Sequence, residues 1–219
     1  MTFARASALL IFATVVTVAC NKQAPTQPNY AGAINAYYQA HPACLWSSEK
    51  KFPVQAATSD DAKTQGYDAL VDAGLLTRTT SEKKIIIVSR QENNYDLSAN
   101  GRAAWTADPN QPGFGNFCYG HFEVSSLSQT GPVASGSGTQ PLDQPGATVT
   151  VSYVPHLAGM PAWASSAETQ TAFPQVRSAA SGASPASATL TNTSSGWQVT
   201  SVNPPVSSAA TSSDSKIVQ

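Results

Sequence analysis

The run Lys84-Ile85-Ile86-Ile87-Val88-Ser89, followed by Gln91-Glu92-Asn93-Asn94 and Tyr95-Asp96-Leu97, decides how the chain is organised. Three isoleucines and a valine in succession suit a buried strand, four turn-forming residues reverse the chain, and Tyr95 to Leu97 returns alongside it. The run therefore predicts a β-hairpin. Just upstream, Lys63 to Leu75 places Tyr67, Leu70, Val71 and Leu75 on one helical stripe, with Ser59, Asp60 and Asp61 at the start, where acidic residues complement the helix dipole. A helix laid against a hairpin follows.

Outward from this pair the signals alternate. Towards the N-terminus, Tyr30 to Ala40 reads as a helix with Asn29 as its N-cap and His41-Pro42 as its end. Towards the C-terminus, Ala107 to Gly115 is a Pro- and Gly-containing loop, Asn116 to Ser128 a long strand, and Gly131 to Gly146 a Gly/Ser/Pro-rich surface excursion. Gly146 to Leu157 alternates through Val149, Val151 and Tyr153 and should pair antiparallel with the preceding strand. Pro161 to Phe173 reads as a short helix, and Ala186 to Leu190 and Gly196 to Val202 as two last strands turning at Asn192 to Ser195. From Pro204 onward the chain offers no large apolar anchor, so residues 204–219 are expected to be a disordered tail. The sum is a single α+β domain over 29–203, an antiparallel sheet with helices on one face, interrupted by an excursion near 131–146.

The segment Leu70-Val71-Asp72-Ala73-Gly74-Leu75-Leu76, a strand pair, then Tyr95-Asp96-Leu97-Ser98-Ala99-Asn100-Gly101-Arg102 resembles the helix-and-wing pattern of winged-helix proteins over some forty residues. The resemblance implies a winged-helix-like N-terminal half. In a DNA reader the corresponding helix offers cations and amides to the groove. Here it carries Asp68 and Asp72 beside a lone Lys63, so no nucleic-acid partner is expected.

At the start of the chain, Arg5 supplies a positive region and Ala6 to Ala19 an uncharged, mostly apolar stretch too short to span a bilayer. It reads as a signal peptide over 1–19. It ends in Thr17-Val18-Ala19-Cys20, which resembles the lipobox of bacterial lipoproteins. The resemblance implies that Cys20 receives a diacylglycerol, becomes the mature N-terminus and is further acylated, for instance with palmitate. Several acyl chains anchor far more durably than one. Asn21, where enteric bacteria place an Asp to retain lipoproteins in the inner membrane, implies the outer membrane facing the periplasm in a Gram-negative cell. Residues 20–28, with Pro25 and Pro28, read as a tether. Cys44-Leu45-Trp46, Phe117-Cys118-Tyr119-Gly120 and Gly196-Trp197 likewise resemble segments of bacterial lipoproteins.

With Cys20 spent on lipid, Cys44 and Cys118 remain. An oxidising envelope compartment favours a disulfide between them. The sharper alternative notes that His41-Pro42-Ala43-Cys44 and Cys118-Tyr119-Gly120-His121 hold the four ligands of a tetrahedral zinc site. Residues three apart on a strand point to opposite faces, so only a bulge at Gly120 would bring Cys118 and His121 to one ion. Free thiols are the third option.

Charged residues make up 11% of the chain, and twelve cations against thirteen anions leave a formal charge of −1. That balance excludes a chain built to neutralise phosphates, and it offers anionic lipid no polybasic patch. A nucleophile elbow, a phosphate-cradling loop and the paired-histidine zinc motif are all missing from the sequence. His41, His121 and His156 lie far apart, and Trp46, Trp105, Trp163 and Trp197 sit in apolar contexts that suit packing. The expectation is a lipid-anchored envelope protein, a non-catalytic binding or scaffolding module with no cofactor and with an envelope protein as partner. The alternative is a metal-dependent or hydrolytic enzyme built on His41, Cys44, Cys118 and His121.

Overall fold

The computed structural model describes residues 22–85, 88–132, 141–182 and 184–203. The expected signal peptide with Cys20, much of the expected excursion, and the expected tail after residue 203 lie outside them.

Helix α1 spans Gln27–Ala40, three residues longer at its start than expected. Pro28 sits in the first turn, where its missing N–H costs nothing. The flanking residue is Thr26 rather than Asn29, whose Nδ2 instead donates to the Ala24 carbonyl at 2.9 Å. Tyr30, Ile34 and Tyr38 recur at four-residue spacing and form its buried stripe. Of the stretch 20–28 expected to be a tether, residues 27 and 28 are helical, and Gln23 and Ala24 are hydrogen-bonded to Asn192, Thr193 and Trp197.

After α1 come three short strands that the sequence did not announce: β1 (Ala43–Cys44), β2 (Lys50–Lys51) and β3 (Val54–Ala57). Helix α2 covers Asp61–Asp72, capped by Asp60, whose side chain accepts from the Lys63 amide at 3.3 Å. It stops three residues before the expected Leu75, because Gly74 takes a left-handed φ of +75° and turns the chain into a strand.

The hairpin is present, but its strands are β4 (Leu76–Ile85) and β5 (Val88–Leu97). The run expected to be one strand, Lys84 to Ser89, is instead the tip, with Lys84 opposite Ser89 and Ile85 opposite Val88; Ile86 and Ile87 lie outside the described residues. Gln91 to Asn94, expected to turn, are regular β5 residues paired on one side with β4, and Glu92 to Asn94 pair on the other side with β3. Asn93 is buried in this central strand because its amide is satisfied, taking the Thr80 hydroxyl at 2.8 Å and donating to the Tyr95 hydroxyl at 3.1 Å.

Helix α3 (Ala99–Ala104) closes this unit, capped by Ser98, and leads into β6 (Trp105–Ala107). Strand β7 then runs for 19 residues, Phe114–Pro132. The larger antiparallel sheet has the order β1-β7-β8-β9-β10, completed by β8 (Thr148–Ala158), β9 (Ala186–Thr193) and β10 (Gly196–Asn203). β2 and β6 also pair with β7, and Gly115 faces Lys50 on one edge and Ala107 on the other. Between β8 and β9 the helix expected over Pro161 to Phe173 is split into a 3₁₀ turn (Ala162–Ser165) and α4 (Ala167–Ala172), and a further helix that was not expected, α5 (Pro174–Ala180), follows. This is the α+β architecture with antiparallel sheets that the sequence pattern predicts.

Two apolar cores result, and β7 serves both. One packs α1 through Tyr30, Ile34 and Tyr38 against Val149, Val151 and Tyr153 of β8, Leu190 of β9 and Trp197 of β10. The other gathers Leu45, Leu70, Leu75, Tyr95, Phe117, Tyr119 and Val176. Gly120 marks the change between them. Its φ of +138° and the adjacent Ala158 carbonyl leave no room for a side chain, and the register of β1 against β7 shifts beside it.

Candidate functional site

Cys44 and Cys118 are register partners across β1 and β7, and their sulfurs are bonded as a disulfide. That decides the choice the sequence left open, since sulfurs bonded to each other supply no thiolates to a metal. The two histidines go elsewhere. His41 stacks on Tyr37 with ring centroids 4.2 Å apart, its Nδ1 2.8 Å from the Tyr37 carbonyl oxygen, while His121 Nε2 is 3.2 Å from Glu123 Oε1. Among the described residues no group of three or more His, Cys, Asp or Glu side chains is arranged to hold a metal ion.

What the disulfide does is fix the next two residues. The Leu45 amide donates to the Phe117 carbonyl at 3.0 Å, and Gln175 of α5 donates to the Leu45 carbonyl at 2.9 Å. At Trp46 the buried side chain of Asn116 bonds both backbone groups, accepting from the amide at 3.2 Å and donating to the carbonyl at 2.7 Å. Trp46 is thus held by a part of the chain seventy residues away.

Its indole is the hub of an aromatic cluster. Ring centroids of Phe52, Tyr67, Trp105, Phe117 and Phe173 lie 6.0–6.4 Å from it, at tilted or edge-on angles that favour aromatic pairs. Phe117 is fully buried, whereas Trp46 and Tyr67 are half-buried, so the cluster opens at the surface. There it lines a cleft of about 320 Å³, walled by Trp46, Tyr67 and Phe173 and edged by Lys50 and Lys63. Gly66 belongs to the same wall: a Cβ there would lie 3.2 Å from the ring of Phe173, the residue that ends α4, so its small size lets α2 approach this junction closely. Lys63 pairs with Asp60 at 3.2 Å across an exposed turn, an arrangement worth little in water.

The other flank of α2 is acidic. A groove of about 720 Å³ between α2 and α4 is lined by Asp61, Asp68, Asp72 and Glu168. Asp68 is engaged from beneath, accepting from Arg78 at 2.7 Å and from the Tyr95 hydroxyl at 2.8 Å. Burial and this bond to Asp68 raise the Tyr95 pKa above the usual phenol value, so the hydroxyl stays a donor at all ordinary pH. Tyr95 also stacks obliquely on Tyr67 at 5.1 Å, which connects the floor of the acidic groove to the aromatic wall.

One convergence escaped sequence reasoning. Glu123 and His156 are register partners across β7 and β8, and His121 lies two residues along the same strand. Glu123 Oε1 therefore meets His121, its Oε2 lies 3.8 Å from His156 Nε2, and His156 Nδ1 lies 2.9 Å from the Ser125 hydroxyl. The residue types are those of a hydrolytic triad. At 3.8 Å, though, the carboxylate does not hydrogen-bond the His156 imidazole, and none of these residues lines either cleft. The only advance signal was the i, i+2 spacing of His121 and Glu123. The pairing of the two strands follows from the sequence, but the register that sets His156 opposite Glu123 does not.

No family model matches the chain, and no curated protein or solved structure does either.

Proposed function

We propose that this chain is a lipid-anchored envelope protein whose folded domain is a non-catalytic binding module, held to the membrane through acylated Cys20. The lipobox-like Thr17-Val18-Ala19-Cys20 supports the anchor. Among the described residues no helix is long and apolar enough to cross a membrane.

The observation that carries the binding reading is the cleft at Trp46. A large aromatic side chain is left half-exposed although Asn116 bonds its backbone on both sides and the two residues before it are fixed, Leu45 by Gln175 and Cys44 by the disulfide. Rigid aromatic walls bury much apolar area at small entropic cost, the property of residues that dominate binding energy. The volume admits one or two side chains of a partner, and Lys50 and Lys63 at its edge favour an adjacent carboxylate. An apolar or aromatic residue flanked by Asp or Glu, on another envelope protein, fits this description. The alternative centre at His41, Cys44, Cys118 and His121 is left with two separated imidazoles.

Crosslinking in intact cells tests the proposal. A photoreactive residue in place of Lys50 is expected to capture a defined neighbour, and Trp46→Ala is expected to abolish that adduct while Cys20→Ser releases the protein from membranes. An unchanged adduct in Trp46→Ala would overturn the cleft as the site.

A further inference from the structure

The first described residues after the acylation position are built into the fold. Gln23 Nε2 donates to the Thr193 carbonyl at 3.1 Å, and the Gln23 carbonyl accepts from Asn192 Nδ2 at 3.0 Å and from the Trp197 indole N–H at 3.1 Å. That indole also reaches the Ala24 carbonyl at 3.2 Å, and Lys22 packs so closely on Gly196 that a Cβ there would collide with it. Trp197 and Asn192 are buried, so these bonds are sheltered from water. Asn192 donates as well to the Leu142 carbonyl at 2.9 Å, which brings residues 141–146 to the same end.

Chain length does the rest. Three peptide units separate Cys20 from Gln23, a reach of about 11 Å at full extension. From this clamp α1 runs outward for 14 residues, about 21 Å, and delivers the chain to β1 and Trp46. The sheet gives the same direction independently. Thr148 at one end of β8 pairs with Thr191 beside the clamp, whereas Ala158 at its other end pairs with His121, next to the disulfide strand, ten residues or about 33 Å away.

We propose that the protein is mounted on the bilayer in a fixed orientation. The end formed by residues 22–26, 141–146 and 193–196 rests at the lipid headgroups, and the Trp46 cleft is presented on the opposite end, facing away from the membrane. This rests on the acylation of Cys20 proposed above, and it adds that the acylated end is clamped to the domain instead of tethered.

Fluorescence quenching tests it on the full-length, naturally processed protein reconstituted in phosphatidylethanolamine–phosphatidylglycerol vesicles that carry headgroup-level quencher lipids. Fluorophores are placed at Ser195→Cys or, at the cleft rim, Lys63→Cys, with the disulfide kept intact. Quenching several-fold stronger at position 195 than at 63 is expected, and a Gly-Ser spacer inserted after Asn21, which leaves the folded residues untouched, should reduce it. Equal quenching at the two positions in protein shown by mass to be acylated would overturn the fixed orientation while leaving the anchor standing. Absence of acyl mass on Cys20 would instead remove the anchor, and the orientation with it.

Discussion

Single residues carry more of this structure than their types announce. Asn116 lies two residues into β7, where nothing in its type announces a partner, yet its amide closes both backbone bonds of Trp46. Asn116→Ala would take this partner from the partly buried N–H and C=O of Trp46, each lost bond costing about 1 kcal/mol. Urea denaturation is expected to show a loss of about 2 kcal/mol or more, with weaker partner capture at the cleft. The hydroxyls of Tyr38 and Tyr153 meet at 2.6 Å inside the α1 core. Burial, then the bond and charge of its neighbour, push the Tyr153 pKa well above the usual phenol value, and burial does the same for Tyr38. The unfolded chain therefore releases these protons first as pH rises through about 10, so their contribution to stability is complete below that pH and declines above it. Thermal melts should show a falling melting temperature between about pH 10 and 11.5, and Tyr153→Phe should flatten that fall. An unchanged slope in the variant would mean that the pair does not govern alkaline unfolding.

At the scale of elements, apolar content was easier to read than register. Helices α1 and α2 and the β7–β8 pair follow from stripes and alternation in their own residues. The hairpin was foreseen but its reversal was misplaced by several residues. β-branched content favours a strand wherever it occurs, and Asn93-Asn94 favours a turn only while its amides lack partners. Strand β3 supplies the second neighbour that makes β5 central, and nothing local announces so short a strand. The aromatic cleft was illegible for the same reason, because its walls come from the segment after β1, from β2, from α2 and from the junction of α4 with α5. Gly101 of α3 shows how tightly these pieces fit: a Cβ there would drive into the Leu75 carbonyl. Gly101→Ala is expected to destabilise the domain by about 2–3 kcal/mol despite its higher helix propensity. Stability equal to the parent's would show that α3 packs less closely on the start of β4.

The whole molecule is organised along one axis, from the clamp at Gln23 through the α1 core to the disulfide and the aromatic cleft. The bridge closes a loop with a sequence separation of 74 residues, and constraining so long a loop in the unfolded chain is worth about 4–5 kcal/mol in the chain-entropy model. Reduction, or Cys44→Ser with Cys118→Ser, should therefore lower the melting temperature substantially and loosen Trp46, read as a red shift of indole emission. Cysteine count and the compartment expected from the lipobox resemblance made the bridge legible, whereas its consequence for Trp46 needed the structure. The anchor proposed at residue 20 would give this axis its meaning. Intact-mass and N-terminal peptide mass spectrometry of the protein isolated from its native membranes is expected to find a chain beginning at Cys20 and carrying a diacylglyceryl group. A chain retaining residues 1–19 with an unmodified Cys20 would contradict the account.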